Sequence, residues 1–276
     1  MFQNCWATVA LPPVGDGDMV SPSQVDDVLL THTDQRVRTL TLNRPDARNA
    51  LSSALRSKLF SALAEADNDD EVDVVILTGT DPAFCAGLDL RELAEHIPDL
   101  SLTWPLMTKP VIGAINGVTV TGGLEIALCC DVLIASERAR FADTHARVGL
   151  LPGWGMSVRL PMAVGSRLAR RLTLTGDFLS AKQALAAGLV TEVVAHDELA
   201  DTARSLAAAI VGSNQATVRA VLATYRRIED LATREGLAIE AESATRWLHS
   251  HVTSESIAIN RAGVLERGRD QLRLGD

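Results

Sequence analysis

Residues 109–125 read KPVIGAINGVTVTGGLE, an order of residue types that predicts a strand, a glycine-rich turn and the start of a helix. The apolar run 110–115 is typical of a buried strand, and residues 122–130 are compatible with a helix. Glycine lets the backbone turn sharply and expose an N–H group close to a ligand. Glu125 follows Gly122 just inside the predicted helix, where its carboxyl group can face the same point.

A second glycine turn lies upstream, in residues 84–90, FCAGLDL, which follow a buried strand and a proline turn. If the N–H groups of the two turns converge, they form an oxyanion hole, in which hydrogen-bond donors stabilise negative charge that develops on a carbonyl oxygen. A second interpretation stays open, because isolated glycine motifs are weak and both segments also fit ordinary strand-to-helix turns.

The flanking sequence alternates short apolar runs with amphipathic segments. It predicts a hairpin from residues 28–30 and 37–42 with a polar turn at 33–35, a helix over 52–66, and strands over 72–77 and 132–135. Repeated strand, turn and helix units indicate a mainly parallel α/β core. Helix-compatible segments follow at 181–187, 198–211, 216–235 and 237–249. The predicted parts are a flexible N-terminal extension (1–27), a core (28–200) and a C-terminal helical region (201–276).

Composition and charge exclude several classes of function. Asp and Glu number 35 against 26 for Lys and Arg, so the net charge of -9 opposes binding to nucleic acid or to an anionic membrane. The cysteines, Cys5, Cys85, Cys129 and Cys130, have neither CxxC nor disulfide-framework spacing. With no signal peptide and no apolar run of about 20 residues, the sequence predicts reduced thiols and a cytoplasmic location.

Longer motifs carry a resemblance to a known family. They are residues 41–45 (TLNRP) with 49–51 (NAL), 84–90, 109–125, 130–131 (CD), 149–153 (GLLPG), 174–176 (LTG) and 188–190 (GLV). In this order and spacing they resemble the crotonase, or enoyl-CoA hydratase/isomerase, superfamily over residues 28–270. The resemblance implies an α/β fold, a spiral of strand-strand-helix repeats with a C-terminal helical trimerisation region. It also implies a homotrimer or a dimer of trimers.

The same resemblance implies an acyl-CoA thioester as the substrate, so that coenzyme A is part of the substrate and no separate cofactor is needed. It assigns the oxyanion hole to the backbone N–H groups of Leu88 and Gly122, which hold the thioester oxygen while an enolate forms. The residues assigned to CoA binding are Ala47, Arg48, Ala50, Ala86 and Leu90. Further basic candidates are Arg44, for which the Asn-Arg-Pro turn favours a structural role, Arg267 and Arg269.

Two regions depart from the pattern of the family's hydratases, which use two glutamates. Glu125 matches the glutamate that orients and deprotonates water, whereas the second position is His145. An imidazole with an ordinary pKa of about 6.5 still serves as an acid or base near neutral pH. Asp143 lies two residues before His145, so on an extended segment it can orient the ring. Trp154 and Met156 replace small residues, and a large ring there either narrows the acyl site or packs in the core.

The leading hypothesis is an enoyl-CoA hydratase in which Glu125 and His145 share the proton transfers. The alternatives are an enoyl-CoA isomerase or another acyl-CoA reaction that uses Glu125 alone, and a binding protein that keeps the oxyanion hole without chemistry. A thiol hydrolase based on Cys85 and His145 is more remote, because a buried cysteine packs as a small apolar residue. The sequence contains no P-loop, no complete dinucleotide fingerprint and no metal-ligand constellation, so we predict no metal site.

Overall fold

The computed structural model describes residues 27–95 and 104–273. The predicted N-terminal extension, residues 1–27, lies outside the described residues except for its last member. The described strands are β1 (Leu29–Asp34), β2 (Val37–Leu42), β3 (Val74–Gly79), β4 (Ala83–Cys85), β5 (Val111–Ile115), β6 (Val118–Val120), β7 (Val132–Ser136), β8 (Arg140–Ala142), β9 (Leu179–Ser180) and β10 (Glu192–Val194).

The described α-helices are α1 (Ser53–Asn68), α2 (Leu90–Glu95), α3 (Gly122–Ala127), α4 (His145–Val148), α5 (Met156–Val164), α6 (Ser166–Thr175), α7 (Ala181–Ala186), α8 (Leu199–Val211), α9 (Gln215–His251) and α10 (Ser254–Arg273). Short 3-10 turns cover Pro45–Ala47 and His196–Glu198. Within the described residues, no single helix is long and apolar enough to cross a membrane. Residues 196–211 and 215–251 reach that length and composition only as a pair, across a bend of 105°.

The strands form two sheets that the chain visits in alternation. The larger sheet has the order β1-β2-β3-β5-β7-β10, antiparallel between β1 and β2 and parallel elsewhere. The smaller sheet has the order β4-β6-β8-β9, with β4, β6 and β8 parallel and β9 antiparallel. Each of β3, β5 and β7 is followed by a strand of the smaller sheet and then by α2, α3 or α4. These stacked strand-strand-helix units form a spiral and confirm the predicted fold class.

Strand β3 shows why the larger sheet is buried on both faces. Successive side chains of a strand point to opposite sides of the sheet. Val75 and Leu77 therefore join the main core between the layers, while Val74 and Ile76 pack against α8 in a second apolar cluster. An apolar strand without alternating polar residues is what a parallel sheet covered on both faces requires.

The loop after β2 is anchored by the side chain of Asn49, which is fully buried and has a left-handed backbone with φ of 55°. Its Nδ2 atom donates to the carbonyl oxygens of Thr80 and Ala83, both at 2.7 Å. Its Oδ1 atom accepts the backbone N–H of Arg44 at 2.8 Å. Asn49 thus joins the loop to the turn between β3 and β4, which places the segment that leads into the candidate site.

The structure differs from the sequence-based prediction at the hairpin turn and at the break predicted between two C-terminal helices. The hairpin turn lies at Gln35 and Arg36, with φ of 46° and 66°, rather than at 33–35, because a two-residue left-handed turn matches the twist of the strands. The segments 216–235 and 237–249 form a single helix, α9, that runs through Gly236. A Cβ on Gly236 would lie 3.0 Å from the Val158 side chain, so the glycine permits close packing of α9 on α5 instead of ending the helix.

Replacing Asn49 by alanine should destabilise the fold by about 2–4 kcal/mol, because the Thr80 and Ala83 carbonyl groups each lose a donor and alanine disfavours the left-handed conformation. Urea unfolding monitored by circular dichroism measures the free energy of unfolding. Asn68→Ala is the matched control, because its amide only donates to Ala64 on the exposed surface, and a change below about 0.5 kcal/mol is expected there. Equal effects of the two substitutions would contradict the anchoring role.

Candidate active site

The turns that follow β4, β6 and β8 meet on one side of the smaller sheet, because these strands are parallel neighbours. The first turn carries Leu88, the second enters α3 at Gly122, and the third enters α4 at His145. A Cβ built on Gly122 would lie 3.5 Å from the backbone nitrogen of Leu88. The two glycine turns identified in the sequence therefore come together in space.

The backbone N–H groups of Leu88 and Gly122 take no part in the hydrogen bonds that join the described segments around them. Leu51 donates to the Gly87 oxygen at 2.7 Å and accepts from Asp89 at 3.2 Å. Leu51 and Leu88 form a parallel bridge in which Leu51 bonds to the residues on either side of Leu88, so the Leu88 N–H faces away from Leu51. Gly122 is the first residue of α3, where an N–H has no acceptor in its own helix. Among the described residues neither N–H has an acceptor, and both residues line the same cavity.

Close contact between the turns requires glycine at two positions. A Cβ on Gly87, where φ is 85°, would lie 1.9 Å from the Oγ1 atom of Thr121. A Cβ on Gly123 would lie 2.2 Å from the Cys85 carbonyl oxygen. Thr121 itself has φ of 48° and ψ of −120°, a conformation that a β-branched residue rarely adopts. The backbone at the candidate oxyanion hole is thus held in a strained form by its surroundings.

Glu125 projects from α3 into this point and is almost completely buried, with 3% of its surface exposed. Its Oε1 atom accepts the backbone N–H groups of Trp154 at 2.8 Å and Met156 at 3.4 Å. Its Oε2 atom lies 3.6 Å from Nε2 of His145. This separation exceeds a hydrogen bond, so an atom of a ligand can contact both groups.

His145 is held by Asp143, as the sequence suggested, but by a different geometry. The two residues do not lie on an extended segment, because His145 is already the first residue of α4. Instead, Oδ1 of Asp143 accepts both the backbone N–H and the Nδ1–H of His145, at 3.1 and 2.7 Å. The other oxygen accepts the hydroxyl of Thr173 at 2.6 Å. Because a carboxylate only accepts, the imidazole carries its proton on Nδ1 and turns Nε2 towards Glu125.

Burial and charge act in opposite directions on these three groups. Burial raises the pKa of Glu125 above its ordinary value, although His145 and the two backbone N–H groups lower it. Burial lowers the pKa of His145, but the Asp143 hydrogen bond and the charges of Glu125, Asp143 and Glu240 raise it above its ordinary value. Burial raises the pKa of Asp143, but its bonds from His145 and Thr173 bring it below the ordinary value. The opposite charges of Glu125 and His145 therefore stabilise each other in the buried site.

Two cavities meet at the candidate site. The larger, of about 130 Å³, lies on the side of Leu88 and Gly122. The smaller, of about 30 Å³, lies beyond Glu125 and is lined mainly by apolar side chains of α9 and the loop after α4. Leu88, His145 and Leu150 line both cavities. A ligand with two unlike ends can therefore extend in both directions from the Glu125–His145 pair.

The residues assigned to CoA binding divide into two groups. Arg48, Ala86 and Leu90 line the larger cavity. Ala47 and Ala50 are not among its described lining residues. They belong to the loop itself, where Ala50 donates to the Ala47 oxygen at 3.1 Å. The structure thus brings three of the five residues to the cavity.

The basic candidates are also separated by the structure. Arg267 lines the larger cavity and bonds to Asp177, whereas Arg269 lines a different surface depression. Arg44 bonds to the Ala50 oxygen at 2.5 Å and to Asp89 at 2.9 Å, as expected for a structural residue. Sequence reasoning missed Arg147, which lines the larger cavity. Its position two residues after His145 was the available signal.

Trp154 satisfies both interpretations that the sequence left open. Its ring lines the smaller cavity and also packs edge-on against Phe60, with centroids 6.5 Å apart.

Cys85 lies in the core, and burial raises the pKa of its thiol to about 12. A nucleophilic thiolate at neutral pH is therefore disfavoured at Cys85. In the described part of the chain, no three His, Cys, Asp or Glu side chains are grouped to bind a metal.

Comparison with known proteins gives consistent matches. Residues 32–259 match the profile of the family described as enoyl-CoA hydratase/isomerase. A probable enoyl-CoA hydratase of Mycobacterium tuberculosis is 35% identical over 254 residues, which cover 89% of this chain and 97% of that protein. A 2,3-dehydroadipyl-CoA hydratase of Escherichia coli K12 is 38% identical over 228 residues, covering 79% and 89%. A crystal structure of an enoyl-CoA hydratase from Mycobacterium tuberculosis H37Rv is 67% identical, with a TM-score of 0.77, covering 81% of this chain and 99% of that chain.

Replacing Asp143 by asparagine should lower the pKa of His145, because the substitution removes the carboxylate that stabilises the protonated ring. An NMR titration of the His145 ring measures this shift directly. The matched control is Asp81→Asn, since the Asp81 carboxylate contacts His196 at 2.9 Å and its loss should leave the His145 titration unchanged. An unaltered His145 titration in Asp143→Asn would contradict the proposed contact.

Proposed function

The chain belongs to the enoyl-CoA hydratase/isomerase family, and from that premise we propose that it adds water to a 2-enoyl-CoA, with Glu125 and His145 sharing the proton transfers. The observation that carries this proposal is the 3.6 Å gap between Oε2 of Glu125 and Nε2 of His145, beside the N–H groups of Leu88 and Gly122. One site thus combines two proton-transfer groups with two free donors for an oxyanion.

In the proposed complex, the thioester oxygen accepts hydrogen bonds from the N–H groups of Leu88 and Gly122, at the junction of the two cavities. Water attack on the β-carbon moves negative charge onto this oxygen, and the two donors stabilise the resulting enolate. Removing one such donor typically costs about 100- to 1000-fold in turnover. Because both donors are backbone groups, side-chain substitution leaves them in place.

In the proposed complex, the CoA arm lies in the larger cavity and the acyl chain lies in the smaller one. Arg48, Arg147 and Arg267 line the larger cavity, and guanidinium groups bind phosphate oxygens well. The smaller cavity presents mainly apolar side chains apart from Glu125 and His145, which suits a hydrocarbon chain. CoA is thus part of the substrate, and the proposed reaction uses no further cofactor.

The proton balance closes without an external acid or base. Glu125 takes a proton from the attacking water, whose oxygen bonds to the β-carbon. Protonated His145 gives its Nε2 proton to the α-carbon and keeps the Nδ1 proton that Asp143 accepts. As the product leaves, Glu125 returns its proton to Nε2 through a water molecule that enters the gap, which restores the starting state. The opposite charges of the two groups support this starting state, since His145 lowers the pKa of Glu125 and Glu125 raises the pKa of His145.

The direct test is to mix the protein with crotonyl-CoA, follow the loss of the enoyl absorbance and identify the product by mass. Wild type should add one water. Glu125→Gln and His145→Ala should each reduce kcat about 100-fold or more, because each removes a proton-transfer group. Binding of a saturated acyl-CoA, measured by calorimetry, should persist in both variants.

Matched controls are Glu242→Gln and His249→Ala, which alter exposed side chains of α9 and should retain wild-type turnover. Tight binding without water addition by wild type would contradict the hydratase and favour a binding protein. Double-bond migration without a mass change would favour an isomerase. Loss of binding together with turnover in Glu125→Gln would contradict the assigned role of Glu125.

We also propose that the protein assembles as a homotrimer or a dimer of trimers and acts in the cytoplasm. An apolar stripe on α9 supports the assembly, since Val221, Tyr225 and Ile228 are spaced along one face and are 49–63% exposed. The described cysteines are free thiols, as a reducing compartment requires.

The double variant Tyr225→Glu and Ile228→Glu should reduce the oligomer mass, because burying two carboxylates in an apolar contact is costly. Light scattering after size-exclusion chromatography measures the mass. Ala223→Glu is the control, because residue 223 is exposed on the opposite face of α9. Wild-type mass in the double variant would place the subunit contact elsewhere.

A further inference from the structure

Four consecutive backbone N–H groups, those of residues 154–157, donate alternately to two buried carboxylates. The bonds are Trp154 to Glu125 (2.8 Å), Gly155 to Glu240 (2.5 Å), Met156 to Glu125 (3.4 Å) and Ser157 to Glu240 (2.5 Å). The segment is therefore clamped between one carboxylate of the candidate site and one that the proposed chemistry does not use.

Glu240 lies on α9, remote in sequence from this segment, and only 6% of its surface is exposed. Its Oε1 atom accepts from Gly155 and its Oε2 atom from Ser157. Within the described residues it forms no ion pair with Lys, Arg or His. Burying a carboxylate without a cation is costly. The compensation comes from the N-terminus of α5, which begins at Met156 and carries free N–H groups and a partial positive charge.

We propose that Glu240 is a positioning residue for the reaction: it fixes residues 154–157 so that their remaining N–H groups hold Glu125 with Oε2 directed at His145. This inference rests on the proposed hydratase function. Glu125 has rotatable bonds that its helix does not restrain, and among the described residues its Oε1 atom is bonded only to this segment. Since a displacement of about 1 Å at a reacting group can cost about 100-fold in rate, the position of the segment sets the rate of proton transfer.

The Glu240 charge acts on the same pair of groups. The titratable side chains that face Glu125 are His145 on α4, Glu240 on α9 and Cys129 after α3. Burial raises the pKa of the Cys129 thiol to about 11, so it is neutral and contributes no charge at working pH. His145 faces Asp143, Glu125 and Glu240. The Glu240 carboxylate raises the pKa of both Glu125 and His145, so its neutralisation should lower both values.

A residue that only stabilised the fold would have a different signature. Its loss would lower the melting temperature and the fraction of active protein, and the pH dependence of the remaining activity would be unchanged. Loss of a positioning residue should reduce kcat with little change in KM, because the CoA arm is placed in the other cavity. It should also move the pH profile, because the charge next to the reacting pair is altered.

The experiment compares Glu240→Gln, Glu240→Asp and the control Glu242→Gln, whose side chain is exposed on the same helix and pairs with Arg246. Each is tested as the full chain, with kcat, KM and the pH profile of kcat/KM for crotonyl-CoA, and with the melting temperature. Glu240→Gln should lower kcat about 10- to 100-fold, keep KM within about threefold, and shift both limbs of the profile to lower pH. Glu240→Asp should lower kcat but keep the wild-type profile, because it retains the charge at a shorter reach.

Wild-type kcat in both Glu240 variants, or a loss of kcat in Glu240→Gln without a shift of the profile, would overturn the proposal. If Glu240→Gln does not fold, Glu240→Asp decides: reduced kcat at a wild-type melting temperature and KM supports positioning, and unchanged kcat overturns it. A carbon-13 NMR titration of the Glu125 carboxyl, assigned by difference from Glu125→Gln, needs no turnover. If wild type adds no water, the hydratase proposal fails. The NMR titration still tests the role of Glu240, because it shows whether the pKa of Glu125 is lower in Glu240→Gln than in wild type.

Discussion

The burial of the Glu125 carboxylate is the constraint on which the site depends. A buried carboxylate is retained only if donors or a cation compensate for lost hydration. At Glu125 the donors are backbone N–H groups at the start of α5, and the facing group is His145. The same helix terminus also binds Glu240. The position of α5, the direction of α9 and the orientation of the imidazole are therefore coupled through two buried carboxylates, Glu125 and Glu240.

The spiral topology makes this concentration of groups possible. Parallel neighbours end at the same edge, so the turns after β4, β6 and β8 are stacked side by side. Three successive repeats thus deliver Leu88, Gly122 with Glu125, and His145 to one point. Each repeat needs only a short turn to do so. The fixed β-layer, rather than the loops themselves, sets the distances between the groups.

Local patterns predicted the parts of the site that lie on one turn, and long-range contacts explain the parts they missed. The glycine motifs identified the two turns and Glu125, because sharp turns need glycine, and the family resemblance assigned the oxyanion hole to Leu88 and Gly122. Strands β4, β6 and β8 have three residues each, too few to show an alternating pattern. Glu240 was missed because nothing distinguishes it in sequence from the exposed glutamates of α9. Its role depends on the approach of α9 to α5, which a single helix does not encode.

The histidine at position 145 is consistent with the charge balance of the site. Asp143, Glu125 and Glu240 place three carboxyl groups around one imidazole. A fourth carboxyl group in place of His145 would raise the cost of ionising the others. The imidazole instead supplies a cation that lowers the pKa of Glu125 while its own pKa is raised. A histidine in place of a second glutamate therefore puts a cation opposite Glu125, and each group stabilises the charged form of the other across the 3.6 Å gap.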